Sequence, residues 1–136
     1  MMNKFPISDK AYVKKSGIPD SGRGVYAKRD IKKNEIIEKC PIIEIPKDDI
    51  ANLRESILVT YFFYFGKTRQ RQALALGFGS IYNHSHKPNA KYVIRQAEKR
   101  INFIALTDIK KDEEIMINYS NGNQKDKSPL WFEVDS

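Results

Sequence analysis

Apolar residues in this chain arrive in short β-branched or aromatic runs, and turn formers separate them. Residues 11–13, 24–27, 36–40 and 42–45 are such runs, punctuated by Gly17, Pro19, Asp20, Pro41 and Pro46. Runs of this length suit strands, and Gly, Pro and Asp suit the reversals between them. Residues 91–95 and 101–106 predict a hairpin around the polar stretch 96–100, and residues 115–119 a further strand. One helix is expected. It opens near Asp48 and Asp49, which suit an N-cap and a first turn where carboxylates oppose the helix dipole. Ile50, Leu53, Ile57, Leu58 and Tyr61 then recur at helical spacing, and residues 61–65 are β-prone, which leaves its far end open. Residues 66–72, with Lys67, Arg69 and Arg71, read as a basic loop. The pattern is that of a mainly β chain with few short helices.

One stretch occurs twice. Residues 27–35 (Ala27-Lys-Arg-Asp-Ile-Lys-Lys-Asn-Glu35) echo residues 105–113 (Ala105-Leu-Thr-Asp-Ile-Lys-Lys-Asp-Glu113), each between two predicted strands. Asx side chains bond nearby backbone and Ile can plug a core, so good turn chemistry accounts for the echo. A duplicated strand–turn–strand unit is the other reading.

No Pro/Gly/Ser-rich linker divides the 136 residues, 40% of which are hydrophobic, so one domain over 1–136 is expected, with a core of about 11–119. The single cysteine, Cys40, cannot close an intrachain disulfide or build a thiolate zinc site. The apolar run near residues 57–65 is broken by Thr60 and too short for a bilayer, and the N-terminus lacks the apolar segment of a signal peptide. These features predict a soluble, cytoplasmic protein without membrane contact; a nuclear site stays open.

Three segments look over-specified for a plain β domain. The first is Ser21-Gly22-Arg23-Gly24, where Gly-x-Gly enters a strand and lets backbone approach a ligand. It lacks the third glycine and the helix of a dinucleotide fingerprint, and any Gly-Lys-Ser/Thr. The second is Asn83-His84-Ser85-His86-Lys87-Pro88-Asn89. A metal site there is disfavoured, because His84 and His86 are the only two histidines and zinc needs further ligands. The third is Glu113-Glu114-Ile115-Met116-Ile117-Asn118-Tyr119. Adjacent carboxylates on a strand point to opposite faces, so Glu113 and Glu114 do not converge as a glycosidase pair. Cys40, beside Pro41 in an apolar strand, is a poor nucleophile.

In order and combination, these segments resemble the SET-domain protein lysine methyltransferases, whose pattern is close to Gly-x-Gly, Asn-His-Ser-Cys-x-Pro-Asn and Gly-Glu-Glu-Leu-Thr-Phe-Asp-Tyr. The likeness runs from about Ala11 to Tyr119 and is closest to the minimal bacterial, archaeal or viral forms. It implies a β-clip-like fold of small curved sheets, with a C-terminal segment threaded in knot-like fashion under the loop after Asn-His-Ser. It also implies S-adenosylmethionine as cofactor, bound by Ser21, Gly22, Arg23 and Gly24 and by Asn83 and His84. Tyr119 would be the catalytic tyrosine beside the sulfonium and the target amine. Tyr82 and Ile117 are substrate-channel candidates; Tyr61, Phe63 and Tyr64 are either channel walls or core. The expected partner is a protein presenting a lysine, histone-like or otherwise basic.

The sequence also departs from the pattern. His86 stands where the family carries a cysteine, which predicts altered loop packing rather than altered chemistry. Ile117 stands where many members carry the Phe or Tyr that limits methyl number, so that number is left open. The 136 residues contain none of the cysteine-rich zinc modules that often flank the domain. Trp131 or Phe132, in the tail 120–136, is expected to fold over the adenine and close the site; packing on an unrelated surface is the alternative. The net charge of +7 raises a second class, a basic nucleic-acid or chromatin-binding module using Lys28, Arg29, Lys32, Lys33 and the 66–72 loop. A basic substrate would instead need local acids, for which Glu44, Asp48, Asp49 and Glu55 are candidates. Monomer and homodimer are both open.

Overall fold

Strands form where the apolar runs predict them. The computed structural model describes residues 8–65 and 71–119. In chain order these form β1 (Ala11–Lys15), β2 (Arg23–Ala27), β3 (Ile36–Glu44), α1 (Lys47–Leu53), a 3-10 turn (Ile57–Tyr61), β4 (Phe62–Phe65) and β5 (Arg71–Ala75). Then come β6 (Asn83–His84), β7 (Ala90–Arg95), β8 (Arg100–Ala105) and β9 (Glu114–Ile117). A four-stranded sheet runs β1-β2-β9-β6 and a five-stranded sheet runs β4-β5-β3-β8-β7. Tyr82, Phe103, Ile37, Ile101, Ile115 and Ile117 are among the fully buried side chains of one continuous cluster. No helix among the described residues is long and apolar enough to cross a membrane.

Four expectations about local structure are corrected. The helical spacing from Ile50 to Tyr61 does not make one helix: α1 ends at Leu53 and buries no residue. Ser56 Oγ accepts the Leu58 N–H at 2.9 Å and so opens a new turn instead of extending the helix. Pro46, not Asp48 or Asp49, occupies the N-cap, and the two aspartates sit in the first turn. Pro41, read as a break between two strands, lies inside one nine-residue strand. Residues up to Pro41 pair with β8 and residues from Ile42 onward pair with β5. The missing N–H therefore falls where the strand changes partner, the position at which a ladder tolerates proline. Arg71, assigned to the basic loop, begins β5, and residues 66–70 lie outside the described residues.

The echoed stretches meet each other. Ile31 and Ile109 form a bridge, with N–H···O distances of 2.7 and 2.8 Å in the two directions. Lys33 N–H donates to Asp108 Oδ1 at 2.9 Å, and Lys111 N–H donates to Asp30 Oδ1 at 2.8 Å. Asn34 and Asp112 hold equivalent left-handed conformations, φ 72° and 69°, which Asx residues tolerate best after glycine. Each copy is thus a good turn, and the two turns pair reciprocally. The pairing ties β2, β3, β8 and β9 together.

β9 lies between β2, antiparallel, and the short β6, parallel. Asn89 closes over it: its amide nitrogen donates to Glu114 O at 2.9 Å and its amide oxygen accepts from Met116 N at 2.8 Å. Ser85 N–H donates to Ile117 O at 2.9 Å. This enclosure of the last described strand beneath residues 85–89 is the knot-like threading.

Candidate active site

Threading brings the three over-specified segments into contact. They line a cleft of about 560 Å³ whose walls include Ser21, Gly22, Arg23, Ile57, Leu58, Tyr61, Ser80, Ile81, Asn83 and Tyr119. Gly22 turns the chain with φ 67°, and its carbonyl accepts Ser16 N–H at 2.7 Å. Gly24 is glycine for a different reason: a Cβ there would fall on the Glu114 carboxylate.

That carboxylate ties the first two segments together. Ser16 Oγ donates to its two oxygens at 3.0 and 2.8 Å, and Gly17 N–H donates at 3.2 Å. Asn83 Nδ2 donates to Glu114 Oε2 at 2.9 Å and to Arg23 O at 3.0 Å. Both amide hydrogens are thereby used, and Oδ1 is the acceptor the amide has left to offer a ligand. Glu113, the adjacent carboxylate, faces away and accepts Lys110 N–H at 3.2 Å. Sequence reasoning missed Ser16 and the structural role of Glu114; the only signal was the acidic pair itself.

His84 is buried and its Nδ1 accepts the Tyr119 N–H at 2.9 Å. The proton of the neutral ring must then sit on Nε2, which faces His86 Nε2 at 3.5 Å. Burial, and secondarily His86, pushes the His84 pKa down from 6.5 to about 4, so the ring is neutral near pH 7. A ring that accepts on Nδ1 and is protonated on Nε2 has both nitrogens committed within the fold. His86, at the family's cysteine position, acts as a packing and hydrogen-bonding neighbour of His84.

Tyr119 closes the constellation. Its hydroxyl donates to Tyr82 O at 2.6 Å, and its ring centroid is 5.1 Å from that of His84. Burial first, then Tyr61 and Glu114, raises its pKa, so the phenol stays protonated. With its hydrogen committed to a carbonyl, its oxygen can act further only as an acceptor.

The other candidates fall elsewhere. The Tyr82 ring is 1% exposed, stacked 4.3 Å from Phe103, and only its carbonyl reaches Tyr119. Ile117 is 0% exposed. As channel-wall candidates, both side chains point into the core rather than into the cleft. Phe63 packs in the core against Tyr92 at 4.8 Å, whereas Tyr61 lines the cleft. The side chain of Tyr64, and Trp131 and Phe132 in the tail, lie outside the described residues.

The sequence pattern of the SET domain matches residues 22–120. A Schizosaccharomyces pombe histone-lysine N-methyltransferase, H3 lysine-37 specific, is 30% identical over 115 residues, covering 85% of this chain and 73% of that protein. Among solved structures, a Plasmodium falciparum protein assigned as a histone methyltransferase superposes with a TM-score of 0.65 at 39% identity, over 84% of this chain and 96% of that one. The structure of ctPRC2 in an autoinhibited conformation bound to S-adenosylmethionine shares the fold, with a TM-score of 0.67 at 23% identity, over 88% of this chain and 16% of that chain.

Proposed function

This chain belongs to the SET-domain family, and from that premise we propose how its cleft carries out the reaction. The activity is S-adenosylmethionine-dependent methylation of protein lysine. We assign Ser21, Gly22, Arg23, Gly24, Asn83 and His84 to the cofactor and Tyr119 to the reacting centre. The donor set suits that cofactor. The amide of Asn83 has an acceptor to offer an ammonium, and the lack of a side chain at Gly24 makes room for the Glu114 carboxylate that holds that amide.

When bound, S-adenosylmethionine supplies a methyl carbon on a positively charged sulfur. A lysine of pKa about 10.4 must shed its proton to accept that carbon, which near pH 7.4 costs roughly 4 kcal/mol. Ile57, Leu58 and Ile81 give the cleft apolar walls, and removing water from the amine disfavours its charged form. Tyr119 is not a base, because its phenol is held protonated. Its oxygen accepts from the amine and aligns the nitrogen lone pair, so positioning supplies the larger part of catalysis. The observation that carries this reading is the Tyr119 hydroxyl anchored on the Tyr82 carbonyl at the cleft wall.

The substrate we assign is a basic, histone-like segment. Support comes from the histone-directed relatives and from exposed Asp48, Asp49 and Glu55 on the stretch that leads to the cleft residues Ile57 and Leu58. The nucleic-acid module is the weaker reading: of its basic residues, Arg29 is engaged by Asp9 and Glu35, each at 3.7 Å. Transfer of labelled methyl from S-adenosylmethionine to core histones tests the proposal, with an expected loss of about 100-fold in Tyr119→Phe. Full transfer by that variant would remove Tyr119 from the reacting centre. Salt-sensitive DNA binding without any transfer would favour the module.

A further inference from the structure

One buried carboxylate has no part in the cofactor wall. Glu38, in β3, is 8% exposed, and among the described residues no Lys or Arg lies within ion-pair distance of it. Keeping such a group in the interior is costly unless hydrogen bonds satisfy it. Two donors do so. Phe78 N–H reaches Oε2 at 2.9 Å and Tyr82 O–H reaches Oε1 at 2.8 Å.

The two oxygens grip opposite ends of a single turn. Residues 77–82 fold back through Gly79 N–H to Leu76 O at 3.2 Å and Ile81 N–H to Phe78 O at 2.8 Å. Glu38 holds this turn near its start at Phe78 and at its end at Tyr82. The turn lines the cleft with Gly77, Ser80 and Ile81, and its last residue provides the carbonyl that receives the Tyr119 hydroxyl. A phenol O–H has one soft torsion, and the direction of its hydrogen decides where the oxygen's lone pairs point. That direction follows the Tyr82 carbonyl, whose place follows a ring clamped between Glu38 and Phe103.

We propose that Glu38 is a positioning residue for methyl transfer: by holding both ends of the turn 77–82, it aims the Tyr119 oxygen at the reacting centre. This rests on the assignment of Tyr119 made above.

The test compares Glu38→Leu, Glu38→Gln and Tyr82→Phe in the full chain. The readouts are methyl transfer to core histones, S-adenosylmethionine affinity by calorimetry, and the NMR signal of tyrosine Cζ, with Tyr119 identified by its loss in Tyr119→Phe. Glu38→Leu is expected to lower kcat about tenfold or more while cofactor affinity stays within about twofold. Glu38→Gln should retain kcat within about threefold, because its amide oxygen still accepts from Phe78 and its amide nitrogen can donate to the Tyr82 hydroxyl. In a Tyr119→Phe background, Glu38→Leu should cost less than about twofold further, since the group it aims is gone. The Tyr119 Cζ signal should move in Glu38→Leu and stay in Glu38→Gln. If Glu38→Leu does not fold, Tyr82→Phe carries the same expectations for kcat and for the Tyr119 signal. An unmoved Tyr119 signal, or equal and additive losses with and without the Tyr119 hydroxyl, would overturn the proposal. A wild type that methylates no histone would sink the substrate assignment instead, and the NMR readout would still decide the role of Glu38.

Discussion

Acidification should weaken this fold through one imidazole. His84 is buried and neutral, its Nδ1 holding the Tyr119 N–H at 2.9 Å, and its pKa is pushed from 6.5 to about 4 by burial and by His86. In the unfolded chain the same ring protonates near 6.5. Between these values the unfolded state binds more protons, so stability is complete above about pH 6.5 and falls as the pH drops toward about 4. The displacement corresponds to about 3 kcal/mol in all, with roughly 1 kcal/mol lost by pH 5.5 and most of the rest by pH 4.5. Carboxylates titrate in the same window, so the quantity to read is a difference. Urea unfolding at pH 7.5, 5.5 and 4.5 is measured for wild type and for His84→Asn, whose amide oxygen can accept the Tyr119 N–H without titrating. The variant should lose less stability on acidification, by the amounts above. Equal losses in the two proteins would show that His84 is not protonated on unfolding, and would refute the burial argument.

Gly24→Ala should lower S-adenosylmethionine affinity about tenfold or more by calorimetry with the fold retained by circular dichroism, because its Cβ displaces the Glu114 carboxylate that holds Asn83; unchanged affinity would refute this. Ile109→Ala should cost about 3 kcal/mol in urea unfolding, since Ile109 is 1% exposed at the bridge between the two echoed turns. Cys40 is fully buried and its pKa is raised first by desolvation and then by Glu38, so an aromatic disulfide reagent should label it only at the rate of unfolding. Rapid native labelling would contradict that.

Much of this protein was legible in its sequence. Short β-branched runs bounded by Gly, Pro and Asx specify strands and turns through backbone preferences that act within a few residues, and β1, β2, β7, β8 and β9 follow them. Helical spacing between Ile50 and Tyr61 misled because periodicity does not sense a local competitor, and Ser56 supplied one. Pro41 misled in the opposite sense, since its missing N–H does no harm where β3 exchanges one partner for another.

The residue types of the site were also present in the sequence, as Gly22, Gly24, Asn83, His84 and Tyr119. Their division of labour was not. Whether Tyr82 presents a ring or a carbonyl, whether Glu114 builds a wall, and that Glu38 reaches a turn 40 residues away depend on β9 lying between β2 and β6 and on the packing of β3 beneath that turn. Local preference is set by a residue and its immediate neighbours, whereas the direction of a hydrogen bond is set by whatever the folded chain places opposite it. The sequence by itself determined which groups were available; the tertiary structure decided what each one faces.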